Sequence, residues 1–455
     1  MIVTGATTAR GQQLQQKNDK EGKRIGNRKS ERRKRRFVFV RSTIGILLYL
    51  PLMNSDRRTV FSDFRLPILN SFFSVVVVSA PTETLRLNRE RVMWRLGPMT
   101  IAVVGEGPVC DEVCAELSVL EEVESEKPAV VFRFVDEVEA PPGAVHVGTW
   151  RFGECCVAGN GAGYEFKMRR GVDGTYVVDV APERRRRKFG DALSRAWDWN
   201  YLGPSEKAAK NFMYGLFDTV TALALLERGA SYLHASSFES GGEATALVAW
   251  GGVGKTSSVL KLMVREGVRY LSDDLGLVDA NGVAWRTPKR LQIYGYNVDG
   301  QRGLDERLLR GRGPVDRLNW HWRQRRFGPK KVRRRMAVEE LFGEEYVAVS
   351  ASMKRVVFLE RADVAVPVVE PIRGEDMAQR AASILVDELE TLFSLAVAAE
   401  SHGVDVGIPT CGELRRAMER VLGEAFSGCG AWVVRVPVEA RPEELAVVVW
   451  EVFGG

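Results

Sequence analysis

In the middle of this 455-residue chain, the stretch 249-AWGGVGKTSS-258 closes on Gly254-Lys255-Thr256, and an acidic pair, Asp273-Asp274, follows 18 residues after Lys255. Glycines that free the backbone, a lysine, a hydroxyl and two carboxylates at this spacing suit the handling of phosphate. Consecutive backbone N–H groups in such a loop converge on an anion, because glycine tolerates the required dihedral angles and lets the chain approach closely. The helix that follows adds the positive end of its dipole. Lys255 would neutralise the outer phosphates of a nucleotide, and the Thr256 hydroxyl would ligate Mg²⁺. Gly251, Gly252, Val253, Gly254, Lys255, Thr256 and Ser257 are therefore the expected nucleotide-binding residues. Ala249 stands where such loops usually carry their first glycine. The bland alternative is a glycine-rich turn that contains Gly-Lys-Thr by coincidence.

Phosphoryl transfer needs a carboxylate to hold Mg²⁺ and, with a hydroxyl acceptor, a base to take its proton. Two adjacent carboxylates can divide these tasks, and their repulsion can raise one pKa toward a useful value. Standing alone, Asp273-Asp274 would read as a solvated turn or a helix cap; one strand after the loop, it reads as functional. His234, in 232-YLHASSFESGG-242, precedes the loop-leading strand. A lone histidine is ordinarily a core or surface residue, but this position makes it a third candidate. Some nucleotide enzymes are excluded. The chain has no Asn-Lys-x-Asp for guanine and no LSGGQ-like transporter signature.

The elements that must position these residues follow in the required order. Strand 244–250 leads into the loop, helix 256–267 leaves it, strand 268–279 carries the acidic pair, and a hairpin turns at 280-ANG-282 into 283-VAW-285. Upstream, strand-like runs at 100–104, 129–135, 144–150 and 175–180, separated by turn signals, predict a small α+β domain over 93–203. Apolar residues at helical spacing (Phe212, Leu216, Val220, Leu223) predict helix within 205–229, after a helical segment at 189–203. The kinase-like domain is expected to fill 204–455, with strands at 355–360 and 431–438 and helices at 375–400 and 442–453.

The composition is that of an ordinary globular chain, with 45% apolar and 27% charged residues. Its excess positive charge is local. Residues 1–92 hold 19 Lys and Arg against 7 Asp and Glu, and the rest of the chain holds 46 against 52. A whole-chain argument for nucleic acid therefore fails for the main body. Residues 1–92 read as a basic, disordered extension or as a segment that is not translated, with Met93 or Met99 as the start. The apolar stretches 42–53 and 66–80 are shorter than a membrane span and each contains proline. The six cysteines form no zinc-spaced array, and a reducing cytoplasm is expected.

Together, 233-LHASSFESGGEATALVAWGGVGKTSSVLKL-262 and 268-VRYLSDDLGLVD-279 resemble HPr kinase/phosphorylase, and more closely the uncharacterised archaeal and bacterial relatives of its kinase domain. The segment 287-TPKRLQIYGYN-297 resembles the Pro-Lys stretch that follows the acidic pair in such relatives. The resemblance covers about residues 230–300. It implies an α/β fold with a P-loop nucleotide-binding core like that of the phosphoenolpyruvate carboxykinase domain, here preceded by the small α+β domain. It implies that Gly252 to Thr256 hold ATP phosphates and Mg²⁺, that Asp273 acts as base close to His234, and that Asp274 helps Thr256 hold the metal. Ala249 and Trp250 depart from the commoner loop residues, and the signature that supports dephosphorylation is not evident. HPr as substrate and phosphorylase activity are not carried over.

Two further basic tracts, 184-RRRRK-188 and 323-RQRRFGPKKVRRR-335, read first as solvated loops. They read second as sites for a phosphorylated or acidic substrate, with Arg325, Arg326 and Lys330 as the positions to watch, and third, with 320-WHW-322, as nucleic-acid contacts. The expectation is a cytoplasmic, ATP- and Mg²⁺-dependent phosphotransferase acting on a hydroxyl of a protein serine or a small molecule. A homo-oligomer is left open, and nucleic acid and membrane are disfavoured as partners. The alternative is a nucleotide-sensing module that binds ATP with little turnover.

Overall fold

The apolar run 355-RVVFLE-360 lies within the strand Ser350–Ala362, on which the larger sheet is built. The computed structural model describes residues 91–183, 201–298, 303–403 and 406–453. The expectations for residues 1–90, for 184-RRRRK-188 and for helix 189–200 fall outside the described residues. Val356, Val357, Phe358 and Leu359 are buried, as a continuous apolar run in a strand covered on both faces requires. One edge of Ser350–Ala362 pairs in parallel with Glu243–Val248. The other edge pairs first with Val283–Trp285, antiparallel, and then with Gly430–Pro437, parallel. With Ala230–Leu233, Ala235–Ser240, Arg269–Ser272, Gly276–Asp279 and Val368–Pro371, they make a mixed sheet of nine described strands.

An eight-stranded sheet precedes it, and the whole is a mixed α/β architecture. Strands Met99–Val104, Val130–Phe134 and Tyr176–Pro182 run parallel at its centre. Val92–Leu96 flanks them on one side and the hairpins of 145–170 extend the sheet on the other. Segment 144–150, expected as one strand, is two: Val145–Val147 turns at Gly148, whose φ is +60°, into Trp150–Phe152. The hairpin Cys156–Gly161 and Tyr164–Arg170 went unpredicted, because its first strand is small and glycine-rich and offers little alternation. Helix Cys411–Phe426 was unpredicted too.

Helix Pro204–Phe212 packs Phe212 on Phe132 of the first sheet with ring centroids 5.1 Å apart, while helix Asp218–Leu226 packs on strand Ala230–Leu233 of the second. A single apolar cluster therefore runs through both sheets, from Val92 to Val433. Between the two helices lie five π-helical residues, Met213–Phe217. Such turns leave backbone groups to find other partners, and the Leu216 N–H donates to Tyr164 Oη at 3.2 Å. Gly215 is needed here, since a Cβ on it would stand 2.7 Å from that oxygen. Tyr164→Phe removes the acceptor and leaves a buried N–H unpaired, at a cost of about 1–3 kcal/mol. Urea unfolding would read this as a lower midpoint at unchanged slope. No described helix is long and apolar enough to cross a membrane.

Candidate active site

Two neighbouring chain segments, 230–240 and 269–279, run antiparallel, and their pairing lapses at the same level. Leu233 pairs with Gly276 and Ser237 with Ser272, so 234–236 face 273–275 across a gap in the ladder. The expected strand 268–279 is accordingly two strands, interrupted at Asp273-Asp274-Leu275. Asp274 holds a φ of +71°, one of only two non-glycine residues in that region among those described. Such a conformation costs a residue with a Cβ about 1–3 kcal/mol and is sustained only by its surroundings. The glycine-rich loop leaves strand Glu243–Val248 beside this gap and enters helix Lys255–Glu266.

In the loop, Gly252 and Gly254 have φ of +80° and +116°, so both glycines are used for conformations other residues resist. Among the described residues, no N–H of Gly251, Gly252, Val253 or Gly254 donates to a backbone carbonyl. These donors are available to an anion at the helix N-terminus. Arg361, at the end of the central strand, anchors the loop by donating to Val253 O at 3.1 Å and to Ala440 O at 2.9 Å. Nothing in the sequence singled out Arg361. Ser257 is turned to a packing role, since its Oγ accepts from Asn297 Nδ2 at 2.6 Å and the residue is buried.

Lys255 is 7% exposed, and its Nζ lies 2.9 Å from His234 Nε2, 2.5 Å from Ala249 O and 3.2 Å from Trp250 O. Burial pulls its pKa down to about 8, against the opposing pull of Asp273, Asp274 and Glu388. Burial, then the Lys255 charge, pulls His234 down to about 4, so its imidazole is neutral at pH 7. The Thr256 hydroxyl donates to Asp273, with Oδ1 and Oδ2 at 2.8 and 3.0 Å. Ser236 Oγ donates to the same carboxylate. Burial pushes the Asp273 carboxyl above the usual range, and Asp274 adds to this.

The structure alters one expected grouping. His234 lies beside Asp274 rather than Asp273, and Asp273 rather than Asp274 stands behind Thr256. Adjacent residues leaving a strand point to opposite sides, and the left-handed turn at Asp274 carries its carboxylate toward the histidine. Glu388 joins them. The ligand atoms of His234, Asp274 and Glu388 lie within 4.8 Å of one another, and His234 Nδ1 is 3.3 Å from Glu388 Oε1. With a neutral ring this is a contact rather than an ion pair, and Nδ1 makes no hydrogen bond. Glu388 escaped notice because 375–400 reads as one helix. The chain breaks at Leu389, so Glu388 ends the helix Gly374–Glu388.

The expected basic positions are elsewhere. Arg325, Arg326 and Lys330 are exposed, Arg326 lies over the Phe327 ring, and no described ion pair joins them to the lysine–carboxylate cluster. The buried arginines of that tract are structural. Arg334 pairs with Asp316 at 2.6 Å, and Arg335 forks onto Glu116 at 3.0 and 3.2 Å. A cleft of about 450 Å³, with Trp150, Tyr164, Asn211, Tyr214 and Glu390 in its wall, contains no residue of 249–257 or 273–274. Burial, then the Asp274 charge, raises the Tyr214 phenol.

No family model and no curated protein matches this chain. Among solved structures, the Hpr(Ser) kinase/phosphatase from Coxiella burnetii aligns over 49% of this chain and 90% of its own, at 12% identity and a TM-score of 0.22. A likeness at that score carries no argument about fold or activity, and the functional reading rests on the site itself.

Proposed function

We propose that this chain is an ATP- and Mg²⁺-dependent phosphotransferase with an HPr-kinase-like P-loop site, and that it phosphorylates a hydroxyl group. One observation carries the reading. Thr256, first turn of the loop helix, donates its hydroxyl to Asp273, which leaves the threonine lone pairs free for a cation. A carboxylate that orients a ligand in this way is the usual support of a metal site. Thr256 would thus hold Mg²⁺, whose contribution is to neutralise charge on the β- and γ-phosphates. The free N–H groups of 251–254 and the Lys255 ammonium would take the phosphate oxygens, and His234 holds Lys255 in place beforehand.

In the reaction the acceptor oxygen forms a bond to the γ-phosphorus as the bond to the β–γ bridging oxygen breaks, and ADP departs. The hydroxyl proton passes to Asp273, whose burial favours the protonated form. Most of the acceleration comes from positioning and charge, since the transition state asks for little covalent help. ATP with Mg²⁺ should raise the melting temperature of the full chain. Lys255→Ala should weaken ATP binding about 10–100-fold, the worth of a charge-assisted hydrogen bond. An ATP affinity indifferent to Lys255 would overturn the reading.

A further inference from the structure

We propose that His234, Asp274 and Glu388 bind one divalent transition-metal ion, of the Mn²⁺ or Zn²⁺ class, at a position distinct from that of Mg²⁺ on Thr256. The three come from separate elements: the break between two strands, the left-handed turn, and the end of a helix 114 residues further on. One nitrogen and carboxylate oxygens lie within 4.8 Å of one another. Ligands about 2.0–2.2 Å from a shared ion need only a small contraction from that spacing.

A second observation points to a ligand independently. His234 is 4% exposed, and its Nδ1 faces Glu388 Oε1 at 3.3 Å without a hydrogen bond. Buried polar atoms are ordinarily satisfied, and a metal ion among these groups satisfies this one. It also offsets the repulsion of two facing carboxylates and the backbone strain at Asp274. The donor set selects the class of ion. Imidazole with carboxylates suits Mn²⁺ or Zn²⁺, whereas Mg²⁺ and Ca²⁺ prefer oxygen alone. Three protein ligands leave positions open to water or a phosphate oxygen.

Loading the ion has a consequence for Lys255. Nε2 lies 2.9 Å from the Lys255 ammonium, which can only donate, so in the ion-free site Nε2 accepts and Nδ1 carries the single ring proton. Coordination through Nδ1 places the ring proton on Nε2. Two donors then face each other, and Lys255 is released from the histidine toward the loop.

The test uses the full chain and Mn²⁺ alone, without nucleotide, so its failure leaves the kinase reading untouched. Calorimetry should show one saturable Mn²⁺ site. Glu388→Gln should weaken it by at least the roughly 10–100-fold that loss of even an outer-shell partner costs. Thr256→Val should leave it unchanged. Spin-echo modulation on the wild-type Mn²⁺ complex should reveal a directly bound nitrogen, which an all-oxygen site on Thr256 and Asp273 cannot give. The absence of a saturable site, equal binding by Glu388→Gln, or a complex without nitrogen coupling would each overturn the proposal.

Discussion

Asp273→Asn is expected to lower phosphoryl transfer by about 10²–10⁴-fold, the usual worth of a positioned general base, while the protein stays folded. Asparagine keeps an oxygen to accept from Thr256 and Ser236, so the hydrogen-bonded frame survives. It loses the capacity to take a proton and the negative charge behind Thr256. Burial disfavours the Asp273 carboxylate in the fold, so the neutral replacement should leave the melting temperature equal or higher. A drop in activity together with a retained or raised melting temperature marks a residue kept for chemistry at the expense of stability. A drop in both would mark Asp273 as structural. ATP binding, measured beside it, should change far less than transfer, because the loop N–H groups and Lys255 remain.

The second large effect concerns the buried pair Lys289–Asp218, 2.5 Å apart and 3% and 4% exposed at the side chains. Lys289 also lies 3.8 Å over the Tyr214 ring, and Asp218 Oδ1 has no hydrogen-bond partner. Lys289→Met leaves a buried carboxylate uncompensated and should cost about 3–5 kcal/mol at pH 8. The effect should depend on pH in a defined direction. Burial pushes Asp218 up to about 6, with Lys289 pulling the other way. A carboxyl raised in the fold stabilises below its unfolded value and loses that stability as pH climbs through the folded one. Without Lys289 the folded value rises further, so the extra loss accumulates above about pH 6 and shrinks toward pH 5, where the carboxyl is neutral in both proteins. Urea titrations at the two pH values read this directly. The double variant Asp218→Leu/Lys289→Met should recover most of the loss, since an apolar pair can replace a buried ion pair. A pH-independent loss would contradict the assignment.

The legibility of this chain follows from where its signals lie. Gly252, Gly254, Lys255 and Thr256 announce themselves by local spacing, because a strand, a loop and a helix in immediate succession need no long-range information. The acidic pair was legible for the same reason, one strand later. Which aspartate faces which partner was not, because that depends on the φ of +71° at Asp274, and a sequence does not display a residue's departure from its preferred backbone region. Glu388 and Arg361 were invisible, since each reaches the site from an element far along the chain and only the fold brings them there. The split of 375–400 at Leu389 illustrates the same limit: both halves have good helical spacing, and only packing decides the break. Basic clusters misled in the opposite sense. Arg334 and Arg335 look like exposed charge in sequence yet are tied to Asp316 and Glu116.

The measurement that bears most directly on the central claim is transfer of label from γ-labelled ATP. The full chain would be incubated with Mg²⁺ and an extract of its own source cells, beside Lys255→Ala and Asp273→Asn. Protein and small-molecule fractions would both be counted. The account predicts label in one acceptor with the wild-type chain and loss of that label in both variants. ATP bound by the wild-type chain, with no label moving to either fraction, would contradict it and leave a nucleotide-sensing module in its place.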